Sequence, residues 1–116
     1  MAVTHAQAGE IIDISPLGPH LHAASTMALV KTDAMEVLRL VLPAGKQIAP
    51  HAARGEITVQ CLEGKVAFEA RGAEHELTAG KLLYLAAAEV HALRAIEDSS
   101  LLVTILLSSK AAAKTA

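Results

Sequence analysis

The feature that most constrains the fold of this chain is a regular alternation of apolar and polar residues within the stretch 45–91. Ile57, Val59 and Cys61 alternate with polar neighbours, and a second alternating run follows Gly64. Successive side chains of a strand point to opposite faces, so a period of two predicts strands that bury one face. The β-branched residues of the first run favour the same assignment.

Short turns divide this half of the chain into pieces of strand length. Glycine-containing or polar turns are predicted at 63–64, 71–73, 78–80 and 97–99. The runs between them are too short for helices of ordinary length. Many short strands without a sustained amphipathic helix predict an all-β sandwich or barrel with little or no helix.

Two further strands are predicted upstream, at 25–31 and 35–42. A helix over 26–42 competes with them, because Ala, Leu, Met, Glu and Lys are good helix formers. The run stops abruptly at a Leu-Pro-Ala-Gly sequence, and the strand pattern follows soon after. This ending favours the two strands.

Length and composition exclude several classes of partner. With 116 residues the chain is expected to form one domain. Phe68 and Tyr84 are its only phenyl rings and its net charge is −2, so it lacks the stacking platforms and basic surface that bind nucleic acid. No basic segment precedes an apolar one at the N-terminus, and the aliphatic run 101–107 is too short to cross a bilayer. The single cysteine, Cys61, is interpreted as a small buried hydrophobe. We therefore expect a cytoplasmic protein with no nucleic-acid or membrane partner.

The spacing of glycines and histidines resembles the two motifs of the cupin family. The first family motif, G-x5-H-x-H-x3,4-E-x6-G, is matched at Gly45, His51 and Gly64. The second, G-x5-P-x-G-x2-H-x3-N, is matched at Gly80 and His91, without its proline, glycine and asparagine. The resemblance implies a cupin-type jelly-roll barrel, or double-stranded β-helix, related to the dTDP-sugar epimerase-like barrels.

This resemblance also implies a division of the chain. Residues 1–34 would form an N-terminal arm with one or two short strands, residues 35–107 the cupin barrel, and residues 108–116 a C-terminal tail. Small cupins resembling this one are commonly homodimers. The apolar strand at 35–42 is expected to face a second subunit.

In the family, the two histidines and the glutamate of the first motif bind a divalent metal together with the histidine of the second motif. Here the second histidine position is Ala53 and the glutamate position is Ile57. The resemblance thus leaves His51 and His91 as candidate ligands for Fe, Mn, Ni or Zn. Glu56 is the candidate third ligand, but it lies one position out of register, which turns a strand side chain to the opposite face. A β-bulge just before it would bring it back.

Three functions stay open. The first is a metal-free site for a small molecule at the barrel mouth, since apolar lining with a few polar groups is typical of ligand sites. The second is a metal-dependent oxygenase or isomerase that uses the two motif histidines as ligands. The third is a dimeric structural or interaction module, and the fold alone does not choose among them. The candidate pocket residues are His51, Ile57, Val59, Cys61, Phe68, His91 and Leu93.

Several other polar residues have two interpretations each. Arg39 and Arg54 are interpreted as surface or interface arginines, with carboxylate binding at the barrel mouth as the alternative. Tyr84 is interpreted as a packing residue, with an acid–base pair to a histidine as the alternative. His20 and His22 follow a Gly-Pro turn signal and are interpreted as part of a solvated turn.

Overall fold

The computed structural model, which describes residues 5–107, consists of nine strands in two antiparallel sheets. The strands are β1 (Met27–Lys31), β2 (Met35–Leu42), β3 (Gln47–His51), β4 (Ile57–Glu63), β5 (Lys65–Ala70), β6 (Ala73–Thr78), β7 (Leu82–Leu85), β8 (His91–Ala95) and β9 (Ser99–Leu106). The five-stranded sheet has the order β1-β2-β9-β4-β7, and the four-stranded sheet has the order β3-β8-β5-β6. The predicted all-β jelly-roll barrel is confirmed.

Helix is confined to one short element in this part of the chain. A 3-10 helix covers Gly18–Ala23, directly after the predicted turn signal. Between residues 5 and 107, no helix has the length and apolar character that crossing a bilayer requires. The tail predicted at 108–116 lies outside the described residues.

The two sheets face each other across one apolar core, as the period of two predicts. In β4, Ile57, Val59 and Cys61 are buried, while the residues between them are half-buried. Phe68 of β5 and Leu93 of β8 belong to the same core cluster on the four-stranded sheet. Burial of apolar side chains is the main stabilising contribution to folding, so this shared interior holds the sheets together.

The upstream segments are strands, and the competing helix over 26–42 is wrong. β1 and β2 form an antiparallel pair in which Met27 lies opposite Arg39. β2 in turn pairs along its length with β9, so β1 becomes the edge strand of the five-stranded sheet. A part of the predicted arm therefore extends the barrel by one strand.

A buried charged pair attaches the N-terminal arm to the barrel. Arg39 of β2 is only 7% exposed, and its Nη2 donates hydrogen bonds to the carbonyl oxygens of Ile14 (3.2 Å) and Ser15 (2.5 Å). The same Nη2 lies 3.8 Å from Oε2 of Glu63. The interpretation of Arg39 as a surface or interface residue is therefore wrong, because the arm covers the face of β2 on which it lies.

Glu63, the last residue of β4, supplies the anionic half of this attachment. Its carboxylate accepts hydrogen bonds from the backbone N–H groups of Leu17 (2.8 Å) and Gly18 (3.0 Å) and from the hydroxyl of Ser100 (2.5 Å). Burial raises the pKa of Glu63, but these hydrogen bonds and Arg39 outweigh it and hold the pKa below its ordinary value. One carboxylate thus ties the start of the 3-10 helix to the five-stranded sheet.

The 3-10 helix has a second attachment at its other end. His22 Nε2 lies 2.6 Å from Oδ2 of Asp98, and Oδ1 of Asp98 accepts a hydrogen bond from the N–H of Ala44 (2.8 Å). The solvated turn predicted around His20 and His22 is therefore a 3-10 turn with both histidines exposed, one of them paired with the barrel.

Gly64 joins β4 to β5 at a point where the fold leaves no room for a side chain. Its φ is +89°, and a Cβ built on it would lie 2.2 Å from Ser99 Oγ and 2.3 Å from the carbonyl oxygen of Asp98. Ser99 is fixed there, because its hydroxyl accepts a hydrogen bond from Lys65 N–H (3.0 Å) and donates one to the carbonyl of Glu97 (2.7 Å). Glycine alone tolerates both the backbone angle and the close approach.

Candidate functional site

Strand pairing brings His51 and His91 together at one mouth of the barrel. His51 ends β3 and His91 begins β8, and the two residues lie opposite each other across a register irregularity that follows Ile48. Their ring centroids are 4.3 Å apart, with the planes tilted by 60°. No strand is predicted over β3, since Ala49 and Pro50 have low strand propensity. The sequence motifs single out both histidines but do not indicate this contact.

The hydrogen bonds of the two rings fix the tautomer of each. His51 Nδ1 lies 2.9 Å from the carbonyl oxygen of Ala49, and His91 Nδ1 lies 3.0 Å from the carbonyl oxygen of Glu89. A carbonyl only accepts, so we assign the ring proton to Nδ1 in both cases. In the neutral rings Nε2 then keeps its lone pair. The site therefore offers two hydrogen-bond acceptors side by side.

His91 is the buried member of the pair. It is 6% exposed, and its ring stacks on Phe68 with centroids 5.6 Å apart and planes 9° from parallel. Burial lowers the pKa of His91, the Glu89 carbonyl raises it by a smaller amount, and the neighbouring His51 lowers it further. His91 is thus neutral at pH 7, with its Nε2 lone pair available.

A cavity of about 250 Å³ lies between the sheets beneath the two histidines. It opens at the mouth, and apart from the two imidazoles its lining is aliphatic or aromatic. Six of the seven residues that the sequence nominates for a pocket line it, namely His51, Ile57, Val59, Phe68, His91 and Leu93.

Cys61, the seventh nominated residue, does not line this cavity. It shares the inner face of β4 with Ile57 and Val59, but its Sγ lies 3.4 Å from the carbonyl oxygen of Glu63 and 3.8 Å from that of Gly64. Glu63 ends β4 and Gly64 follows it, so the Cys61 thiol lies at the end of the strand away from the histidines. Burial raises the pKa of the Cys61 thiol, with a smaller opposing effect of the hydrogen bond to Glu63. Cys61 thus packs as a neutral hydrophobe, in keeping with its interpretation from the sequence.

Three strands that the sequence does not assign to the site, namely β2, β3 and β9, complete the lining of the cavity. For β2 the sequence does contain a signal, because the charged Arg39 lies between two leucines. This pattern indicates an inner face that carries the leucines and an outer face that carries the arginine. Elsewhere in β2 and β9 apolar residues follow one another directly, so the sequence shows no clear alternation there. The additional large lining residues are Leu38, Leu40, Ile48, Val103 and Ile105.

The donor groups at this mouth do not fit a tightly held divalent metal. Between residues 5 and 107 no three His, Cys, Asp or Glu side chains converge in a way that could hold an ion. The family ligand positions Ala53 and Ile57 carry alkyl groups that line the cavity. Glu56, the candidate third ligand, is exposed and accepts a hydrogen bond from the hydroxyl of Tyr84 on the outer surface, so that assignment is wrong. Two imidazoles alone leave most of an ion's coordination to water.

The positions of Tyr84 and Arg54 decide between the two interpretations that the sequence allows for each. Tyr84 is exposed and bound to Glu56, so its interpretation as a packing residue is wrong, and it does not line the cavity that contains His91. Arg54 is exposed, as its surface interpretation predicts.

The lowered pKa of His91 predicts a pH dependence of stability. The ordinary histidine pKa is about 6.5, and the folded value lies below it. Between these two values the unfolded state binds more protons, so the free energy of unfolding falls as pH drops through this window and levels off beneath it. We expect His91→Phe, which keeps the stacked ring, to flatten this decline in urea titrations at several pH values.

The exposed histidine of β6, His75, provides the matched control for that titration. The His75→Phe variant should keep the wild-type decline, because an exposed ring loses little hydration on folding. An unchanged decline in His91→Phe would show that burial of His91 does not cause it.

A two-sheet jelly-roll barrel with motif histidines at one mouth defines a cupin-type domain. The model of the cupin domain family matches residues 38–107. The chain therefore belongs to the cupin family. No curated protein matches its sequence.

Solved structures share this fold at low sequence identity. A cupin superfamily protein from Desulfitobacterium hafniense has a TM-score of 0.73 and 17% identity, covering 89% of this chain and 100% of that one. An RmlC-like cupin from Shewanella frigidimarina has a TM-score of 0.70 and 18% identity, covering 94% and 96%. A predicted oxalate decarboxylase from Thermotoga maritima has a TM-score of 0.64 and 23% identity, covering 71% and 78%. These likenesses establish the fold and leave the activity to be argued from the site.

Proposed function

We propose that this protein binds a small, mainly apolar molecule that carries one hydrogen-bond donor, without a tightly bound metal. The apolar body would occupy the barrel cavity, and its O–H or N–H group would donate to Nε2 of His51 or His91. The observation that carries the proposal is an apolar cavity of about 250 Å³ that ends on two imidazole acceptors. A few convergent polar groups in an apolar pocket are typical of ligand sites.

The cavity volume limits the size of the ligand. An apolar cavity of about 150 Å³ holds benzene, and pockets for drug-sized ligands begin near about 300 Å³. The cavity of about 250 Å³ lies between these. We therefore expect a ligand somewhat larger than one six-membered ring.

The chemistry of the lining limits the polarity of the ligand. Neither lysine nor arginine lines the cavity among residues 5–107, so a carboxylate would enter without a counter-charge, which is costly in an apolar site. A neutral His91 accepts a hydrogen bond but offers no donor at Nε2. An alcohol, phenol or enol meets these requirements better than an acid.

Phenol and toluene test this proposal, because they have similar shapes and differ in the hydroxyl group. A neutral hydrogen bond of about 1 kcal/mol corresponds to about a fivefold change in affinity. We expect the phenol-to-toluene ratio of association constants to fall by about that factor in a His51→Phe, His91→Phe double variant. NMR titration of the methyl groups of Val59 and Leu93, which line the cavity, measures both constants.

The control for this titration is His75→Phe, which changes a histidine on the outside of β6 and should leave the ratio unchanged. Failure of both probes to shift the cavity methyl signals, or an unchanged ratio in the double variant, would contradict the proposal. Metal analysis of untagged, as-purified protein belongs to the same experiment. Near-stoichiometric Fe, Mn, Ni or Zn that disappears in the double variant would overturn the metal-free proposal and support the metal-dependent enzyme.

The homodimer stays a prediction. β2 lies between β1 and β9 in its sheet, so it has no free edge for pairing with a second subunit. Among the described strands, β1 and β7 form the edges of this sheet, so association through it would use one of these edges or the outer face, where Leu82 and Tyr84 of β7 are exposed.

A further inference from the structure

The loop between β7 and β8 determines how His91 is held, since the carbonyl that fixes the His91 tautomer belongs to Glu89. This loop has an unfavourable backbone, because Ala88 has a φ of +65°. The N–H of Ala88 donates a hydrogen bond to the carbonyl of Ala53 (2.9 Å), and this bond joins the loop to the opposite rim of the cavity. A strained loop keeps its conformation only where other contacts determine it.

The Glu89 carboxylate supplies two such contacts on the outer side of the loop. Oε1 accepts a hydrogen bond from the N–H of Ala86 (2.8 Å), which closes the loop on itself. Oε2 accepts one from Nη1 of Arg71 (2.6 Å), in the turn between β5 and β6. The Glu89 side chain is 17% exposed while that of Arg71 is 75% exposed, so the carboxylate is the fixed member of the pair.

These contacts face an open cleft of about 450 Å³ beside His91, outside the ligand cavity. Glu89 therefore has two faces. Its carboxylate anchors the loop from the cleft, and its carbonyl oxygen contacts the ring of His91 from the loop. Any loosening of the carboxylate contacts would move that carbonyl, and with it the hydrogen bond that keeps the ring proton on Nδ1.

We propose that Glu89 is a positioning residue, whose carboxylate holds the loop so that its carbonyl keeps the Nε2 lone pair of His91 directed to ligand. The role of Glu89 at the ring stands on the contacts above. Its consequence for binding rests on the proposed function. In this arrangement Glu89 itself touches no ligand.

The test is the tautomer of His91, read from the ¹⁵N shifts of its ring at a pH where the ring is neutral. We expect Glu89→Ala to lower the ratio of the Nδ1–H to the Nε2–H form about fivefold, as loss of one ordinary hydrogen bond would. Glu89→Gln should fall between wild type and Glu89→Ala, because its single amide oxygen still accepts from Ala86 while its NH2 group cannot accept from Arg71. Glu69→Ala, which removes an exposed glutamate of β5 beside the same cleft, is the matched control and should leave the ratio unchanged.

An unchanged ratio in folded Glu89→Ala would overturn the proposal, as would an equal change in Glu69→Ala. If Glu89→Ala does not fold, the tautomer ratio of His91 is measured in Arg71→Ala instead. A partial fall of that ratio would support the proposal, and a wild-type ratio would overturn it. The phenol-to-toluene affinity ratio separates the two proposals. A shifted tautomer with an unchanged affinity ratio would leave the positioning role intact and count against ligand binding at Nε2.

Discussion

Gly64→Ala is expected to lower the free energy of unfolding by about 3–5 kcal/mol, the largest effect that we predict for a single methyl group in this chain. The backbone angle of +89° accounts for about 1–2 kcal/mol of this loss. The remainder comes from contact of the new Cβ with Ser99 and with the backbone of Asp98, at 2.2 and 2.3 Å. Urea denaturation followed by circular dichroism measures the change.

Gly80 is the matched control for this substitution. Its φ of +90° equals that of Gly64 within a degree, but nothing lies within 4 Å of a Cβ built on it. Gly80→Ala should therefore cost only the backbone contribution of about 1–2 kcal/mol. Equal losses in the two variants would show that the approach of Ser99 and Asp98 relaxes at little cost.

Glu63→Ala is expected to have the second large effect, a loss of about 3–5 kcal/mol. The substitution leaves the guanidinium of Arg39 buried without its anionic partner and leaves the N–H groups of Leu17 and Gly18 without their acceptor. Removing one member of a buried pair costs more than the pair contributes, because the remaining charge stays out of water. Urea denaturation gives the loss, and proteolysis of the arm should become faster.

Glu97→Ala tests whether burial is the cause of that loss. Glu97 is paired with Lys65 at 4.0 Å, but its side chain is 60% exposed against 14% for Glu63. An exposed pair contributes little, so we expect a change of at most about 1 kcal/mol. The lowered pKa of Glu63 also predicts that the loss in Glu63→Ala depends on pH. The stabilising contribution of Glu63 should be complete above its unfolded pKa of about 4.3 and disappear as pH falls through the lower folded value. Losses of unfolding free energy of similar size in Glu63→Ala and Glu97→Ala would refute the argument from burial.

The fold was predictable from the sequence where alternation and turns agree. In β4 and β5 the alternating apolar side chains are buried, because they lie on the sheet faces that meet the core. The pattern fails at β3, where Ala49 and Pro50 give no strand signal and pairing with β8 determines the conformation. It fails again at Arg39, since a period of two identifies the outer face without revealing that the arm covers it.

The sequence predicted which face of β4 lines the candidate site, but not how far each residue lies from the barrel mouth. Alternation places Ile57, Val59 and Cys61 on one face, but the distance of each from the barrel mouth depends on strand tilt and pairing. Cys61 consequently lies beyond the cavity. The role of Glu89 was also beyond sequence analysis, because its contact with Arg71 depends on two separate turns meeting at the rim.

The position of β9 has a consequence for how this domain is made. β9 (Ser99–Leu106) is the last strand in the described chain, yet it lies in the middle of its sheet, between β2 and β4. Until it docks, β2 and β4 each present an unpaired edge, and such edges are templates for aggregation. Docking must also close a long loop back to β2, which slows folding. Any shortened version of the domain that ends before Ser99 would lack the central strand of the sheet, so truncation from that side should fail at the folding step.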